Sequence, residues 1–204
     1  MIIDLDTLSP SQTYFSMIQT LVPRPIAWVL SENPAGDFNL APFSYFSAVS
    51  SNPPLVMISI GRKPSGEFKD TKVNIEERRD FVIHIVHREM LEAMNASSAT
   101  LPLGDSEVSR LGLATTSMEG SRLPRLVNCK IAYACSCYQM VQVGPDPQTL
   151  VIGRVNTIYV DDDVLDVNEK DRIKVNTKRL DPLGRLGASE YLSAGEVISL
   201  KRPL

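Results

Sequence analysis

Between residues 59 and 71 the chain places Ser59, Gly61, Arg62, Lys63, Ser65, Gly66, Lys69 and Thr71 within one short stretch. These are the residue types that hold an anion. The cations supply charge, the hydroxyls donate hydrogen bonds, and glycine lets the backbone approach closely. The stretch follows an apolar run, Leu55–Ile60, and leads into Lys69–Arg79, which is expected as a short helix with Asp70 or Thr71 as its N-cap. A helix N-terminus adds unpaired N–H groups and a partial positive charge. A phosphate fits these parts; a solvated loop with two cations is the plain alternative.

Asn39-Leu-Ala-Pro-Phe-Ser-Tyr-Phe46 is the second group. Small and polar residues alternate with aromatics, so backbone donors and acceptors lie beside a flat apolar surface. That suits a planar heteroaromatic ring with polar edges; otherwise it is a proline-bulged edge strand. Cys129, Cys135, Cys137, His84 and His87 do not make a metal site. Cys135 and Cys137 share a strand face, but no second cysteine pair completes four ligands. The cysteines are expected as small core residues. His84 is expected to be a satisfied structural residue facing away from Phe81, and His87 to sit at a strand end where it can reach a cleft.

The elements that must position these groups are short. Ile26–Leu30, Phe43–Val49, Leu55–Ile60 and Phe81–Val86 have strand length and composition, and Glu32–Asn39 reads as a hairpin connection. Arg88–Ala96 is expected as a helix with Leu91 and Met94 on one face, and Asp105–Leu111 as a helical turn. Lys130–Val143 and Leu150–Val160 are expected as a long hairpin turning at Pro145–Pro147, with Asp161–Asp163 as a solvated acidic turn. A small antiparallel barrel accommodates six or so such strands. No G-x-G-x-x-G, Walker A or H-E-x-x-H motif occurs, and no βαβ alternation is visible, so the usual dinucleotide and P-loop folds are excluded.

At 204 residues the whole chain, 1–204, is expected to be one domain. A net charge of −3 argues against a nucleic-acid partner. No apolar run approaches the roughly 20 residues of a membrane helix. The N-terminus has early acids and no basic segment, so a cytoplasmic protein without a membrane partner is expected.

The ordered set Arg24–Val29, Asn39–Phe46, Pro53–Gly61 and Lys69–Ile75 resembles the flavin reductase-like FMN-binding split-barrel family, most closely its flavoredoxin branch. Leu111-Gly112-Leu113, Gly153, and Asp181–Gly187 before Tyr191 extend the resemblance over most of the chain. It implies a mainly β fold, a six-stranded antiparallel Greek-key split β-barrel with a few short peripheral helices, and a homodimer with FMN near its interface. Carried over by position, Asn39, Ala41, Pro42, Phe43 and Ser44 line the isoalloxazine. Ser59, Arg62, Lys69, Asp70, Thr71 and Asn74 hold the ribityl chain and phosphate, with Asp70 on hydroxyls or capping the helix. Arg185 and Tyr191 resemble C-terminal elements that approach the flavin. The chain departs from the family pattern at His84, where Asn is common, at Leu123-Pro124, where a proline pair is usual, and at Lys130, where an acid often stands. These departures bear on the substrate face.

The resemblance implies an FMN-dependent oxidoreductase passing hydride from NAD(P)H to flavin, then electrons to free flavin, a small molecule or a partner protein. FAD is the alternative flavin. The alternative function is an electron carrier that never touches a pyridine nucleotide. A third reading keeps the barrel and exchanges the ligand for heme, pyridoxal phosphate or single-stranded nucleic acid. No catalytic side chain is required, because the flavin carries the chemistry.

Overall fold

The computed structural model of the chain describes residues 1–145, 148–166 and 173–200. Its main sheet has seven strands: β1 (Ala27–Glu32), β2 (Phe38–Phe43), β3 (Phe46–Ser51), β4 (Pro54–Ile60), β5 (Asp80–Ile85), β6 (Ile131–Val143) and β7 (Gln148–Val160). They run antiparallel in the order β2-β1-β5-β6-β7-β4-β3. The expected six strands become seven because Phe38–Phe43, which begins inside the expected connection Glu32–Asn39, is a strand of its own and takes Phe43 from the expected Phe43–Val49. Phe43 ends β2, Ser44 and Tyr45 bend, and Phe46 opens β3.

That bend shapes the molecule. β2 and β3 are the two end strands of the sheet, yet only Ser44 and Tyr45 separate them in sequence. Three residue steps span at most about 11 Å, so the sheet must curl until its edges lie close at this end. The edges are not hydrogen-bonded to each other among the described residues. Pro42, which has no N–H to donate, lies in β2 opposite Trp28.

Alternation along the strands then sorts side chains to two cores. Val29, Phe43, Ile58, Ile60, Phe81, Ile83, Cys135 and Val151 fill the inside of the curl, closed by Ile75. Trp28, Leu30, Leu40, Val82 and Val86 face outward, where Met90, Met94, Val108 and Leu126 cover them. β1 is therefore buried on both faces.

Four helices matter to the site: α1 (Pro10–Thr20), α2 (Asp70–Arg78), α3 (Leu91–Ala96) and α4 (Glu107–Arg110). α3 is preceded by a 3-10 turn at Arg88–Met90, and it buries Met94 with Leu91 packed alongside. α1 was not expected. Ser9 and Gln12 cap it reciprocally, and Pro10 occupies its first position. A three-stranded ribbon of Arg24–Pro25, Gly184–Arg185 and Tyr191–Leu192 brings the C-terminal segment against the N-terminal one. The expected turn at Pro145–Pro147 lies partly outside the described residues. Among the described residues no helix is long and apolar enough to cross a membrane.

Candidate functional site

The end of β2 and the bend after it form a ridge with openings on several sides. One cleft, of about 710 Å³, runs past Tyr14, Phe43, Ser44, Ser59, Arg62 and Lys69. A narrower pocket of about 100 Å³ goes deeper, past Asn39, Ala41, Pro42, Lys69, Asp70 and Glu107. A second cleft lies across the ridge, with Pro42, Phe43 and Ser44 in common.

α2 delivers its N-terminus between the first cleft and the deep pocket. Its N-cap is Lys69, with no side-chain cap. Neither Asp70 nor Thr71 is the cap, because each is engaged elsewhere. Thr71 Oγ1 accepts from Asn39 Nδ2 at 2.8 Å, while Lys63 Nζ stands 2.5 Å from Asp70 Oδ1. The backbone N–H groups of Lys72 and Val73 turn back to Lys69 O at 2.9 and 3.2 Å. Those of Asp70 and Thr71 find no acceptor among the described residues, so the helix end presents two free donors and its positive dipole end.

Lys69 strengthens that end. Its ammonium sits 5.6 Å from the centre of the Phe43 ring. No carboxylate pairs with it among the described residues. Burial, and then the charge of Lys63, push its pKa below the usual lysine value. A half-buried cation held beside another cation is relieved by an anion. Arg62 lines the same cleft, packed on Phe68 with 4.1 Å from guanidinium to ring centre and donating to Gly66 O at 2.8 Å.

The deep pocket has the opposite character. Asp70 and Glu107 are both buried in its wall. Asp70 Oδ1 is held in a buried ion pair by Lys63 Nζ at 2.5 Å. Glu107 Oε2 accepts from Leu40 N–H at 2.8 Å, tying α4 to β2. Burial raises the Glu107 pKa; hydrogen bonds from the backbone N–H of Leu40 and of Glu107 itself oppose this, and the charge of Asp70 adds to it. Free carboxylate acceptors suit hydroxyl groups.

The expected site residues are thus brought together with three qualifications. Ala41, Pro42, Phe43, Ser44, Ser59, Arg62, Lys69, Asp70, Thr71 and Asn39 line the first cleft or the deep pocket. The Asn39 amide, however, is spent on Thr71 and Ser31. Asn74 does not line either opening; it is buried and donates to Ser31 at 3.2 Å and Asn33 at 2.9 Å, locking α2 to the β1–β2 hairpin. Arg185 faces the second cleft, not the anion end, with Tyr191 4.5 Å beneath its guanidinium. Sequence reasoning missed Tyr14, Glu107 and Lys63's partner. Only Tyr14 had a legible signal, the Ser9–Gln12 capping box that opens α1.

The histidines and cysteines lie elsewhere. His84 is fully buried; Leu126 N–H donates to its Nε2 at 3.0 Å, so Nδ1 carries the proton and donates to Trp28 O at 3.1 Å. Burial lowers its pKa to about 4. His87, expected at a cleft, is instead buried with Nε2 3.0 Å from Asn128 O, and its backbone forms an isolated bridge with Pro182. Cys129, Cys135 and Cys137 are free and buried, and burial pushes the Cys129 thiol up to about 12. Among the described residues no cluster of three His, Cys, Asp or Glu could hold a metal.

A curled antiparallel sheet with an uncapped helix N-terminus, a lysine without a carboxylate partner among the described residues and a flat apolar ridge defines a mainly β protein with a pocket suited to an anion. Comparison with known proteins makes the class specific: residues 19–173 match the flavin reductase like domain, and the chain belongs to that family. An uncharacterized protein of Halalkalibacterium halodurans is 38% identical over 202 residues, covering 97% of this chain and 94% of that one. The structure of nitrilotriacetate monooxygenase component B from Bacillus cereus superposes with a TM-score of 0.89 at 32% identity, covering 98% of each chain. That of 2-nitrobenzoate 2-nitroreductase from Pseudomonas fluorescens does so at 0.88 and 28% identity, covering 100% of this chain and 96% of the other.

Proposed function

We propose that this protein is an FMN-dependent oxidoreductase of flavin-reductase type. Lys69 carries the proposal: a half-buried ammonium without a carboxylate partner, at an uncapped helix end, opening on the ridge of Pro42–Ser44. The residues fit FMN by their chemistry. Lys69, Arg62, Ser59 and the N–H groups of Asp70 and Thr71 would hold the phosphate. Asp70, through the carboxylate lone pairs beyond its ion pair with Lys63, would take ribityl hydroxyls. Ala41, Pro42, Phe43 and Ser44 would carry the ring, while Asn39 and Asn74 fix the strand and helix that bear these groups.

Bound flavin supplies the redox chemistry, taking hydride from NAD(P)H and passing electrons to an acceptor. The chain's own task is placement. Phe43 and Pro42 exclude water from one side of the ridge. The bend at Ser44 and Tyr45 turns backbone groups toward the cleft while Tyr45 O accepts from Ser59 N–H at 2.8 Å, which fixes the ridge to β4. No side chain is asked to move a proton.

A homodimer belongs to the same proposal. Leu21, Pro23, Tyr45, Phe46, Met57 and Leu150 form an apolar groove beside the site, and a second copy would cover it. Rapid mixing of the FMN-loaded protein with NADH and NADPH tests the activity. Bleaching of the flavin absorbance within the mixing experiment is expected. A flavin that stays oxidised with both nucleotides, yet is reduced by dithionite, contradicts the reductase and favours the electron carrier.

A further inference from the structure

The second cleft, about 340 Å³, opens between α1, α3 and the C-terminal ribbon. A cavity of roughly 150 Å³ is enough for benzene, so this one has room for a single substituted ring. Its walls are aromatic: Tyr14 and Phe15, whose rings meet edge-on at 6.0 Å, and Phe43. Its charges are two arginines, Arg24 and Arg185, with no acidic residue in the lining. In a chain of net charge −3 that imbalance is local.

Arg24 is the sharper observation. It is 4% exposed. Its guanidinium donates to Ile18 O at 2.8 Å, to Leu21 O, and to Leu186 O at 3.0 Å. Ile18 O and Leu21 O lie at the C-terminal end of α1, so Arg24 caps that helix and the helix dipole offsets part of its charge; Nε reaches Ser44 Oγ at 3.5 Å, and no carboxylate pairs with it among the described residues. An anion in the cleft would offset the remaining charge. Arg185 stands across the cleft, stacked on Tyr191 and donating to Ala188 O. Tyr191 is itself fixed by a 3.0 Å bond from its hydroxyl to Asn95 Oδ1. The rest of the Arg185 fork is free among the described residues, and a planar fork matches a planar anion.

We infer that this cleft binds a small aromatic carboxylate, the ring among Tyr14, Phe15 and Phe43 and the carboxylate on Arg185, with Arg24 as a fixed charge behind it. The cleft shares Pro42, Phe43 and Ser44 with the first one, so such a ligand would lie next to the flavin; that part rests on the flavin reading.

The test is a calorimetric titration of the FMN-loaded protein with benzoate, benzamide and inorganic phosphate, alongside the flavin difference spectrum. Benzoate is expected to saturate one site at least tenfold more tightly than benzamide, to perturb the flavin spectrum, and to resist displacement by phosphate. Arg185→Gln is expected to collapse the benzoate-over-benzamide preference, and Arg185→Lys to keep part of it. Equal affinity for benzoate and benzamide overturns the inference, as does displacement by equimolar phosphate or a preference that survives in Arg185→Gln. The wild-type comparison decides even if the Gln variant does not fold. A protein that takes up no FMN contradicts the flavin reading instead, and benzoate calorimetry on it still reports on the cleft.

Discussion

Lys69 sits where two influences oppose its charge, burial and the nearby Lys63. A phosphate would offset both. Charge-assisted hydrogen bonds contribute about 1.5–3 kcal/mol, so Lys69→Ala should weaken FMN binding by about tenfold to a hundredfold. Riboflavin, which has no phosphate, should bind the variant and the parent alike; fluorescence titration with both ligands reads the difference. Asp70 beside it shows what residue type alone cannot say. Its carboxylate was expected as a cap or a hydroxyl acceptor, and only the position of Lys63 shows that it does not cap.

His84 makes a pH prediction. Its folded pKa of about 4 lies below the ordinary 6.5, because full burial disfavours the charged imidazolium and the nearby Arg125 charge adds to this, while the hydrogen bond to Trp28 O opposes it. The unfolded chain therefore takes up a proton first as pH falls. The stability from this residue is fully present above pH 6.5 and is lost as pH falls from 6.5 toward 4. The loss is on the order of 3 kcal/mol at most. Denaturant midpoints measured across that interval should fall, and His84→Asn should flatten the part due to this site. An unchanged slope in the variant would assign the acid sensitivity to other groups.

At the scale of elements, β1, β4, β5, β6 and β7 were legible because each is an apolar or alternating run bounded by proline or charge. Ser44–Tyr45 was not legible, since nothing in Phe43–Val49 marks where one strand stops and the next begins. α1 was missed for a different reason. Its aromatics, Tyr14 and Phe15, are half exposed, so it lacks the one-sided apolar stripe that betrays a helix. The long hairpin carries its own test. Register shifts at Ile152/Gly153, and a Cβ at Gly153 would stand 2.5 Å from Phe81 Cζ, inside the curl. Phe81 is buried and cannot yield. Gly153→Ala should cost about 1–3 kcal/mol, the usual range for overpacking, seen as a lower thermal midpoint.

For the molecule as a whole, local patterns could not show which segments converge. Arg24 and Leu186 are 162 residues apart and hydrogen-bonded; Leu40 and Glu107 are 67 apart. Most of the residues lining the first cleft and the deep pocket were legible as an ordered set of short blocks. The second cleft was not, because its walls come from α1, α3, the Pro42–Ser44 ridge and the C-terminal ribbon, which are far apart in sequence. The apolar groove at Tyr45 and Phe46 predicts a dimer mass by light scattering, and Phe46→Glu should shift it toward the monomer.

The proposed function rests on the α2 end holding a flavin phosphate. Titrating flavin-free protein with FMN and riboflavin under the same conditions tests it most directly. A yellow complex is expected, in which FMN binds at least tenfold more tightly than riboflavin. Equal affinity for the two, or no binding of either, would contradict it.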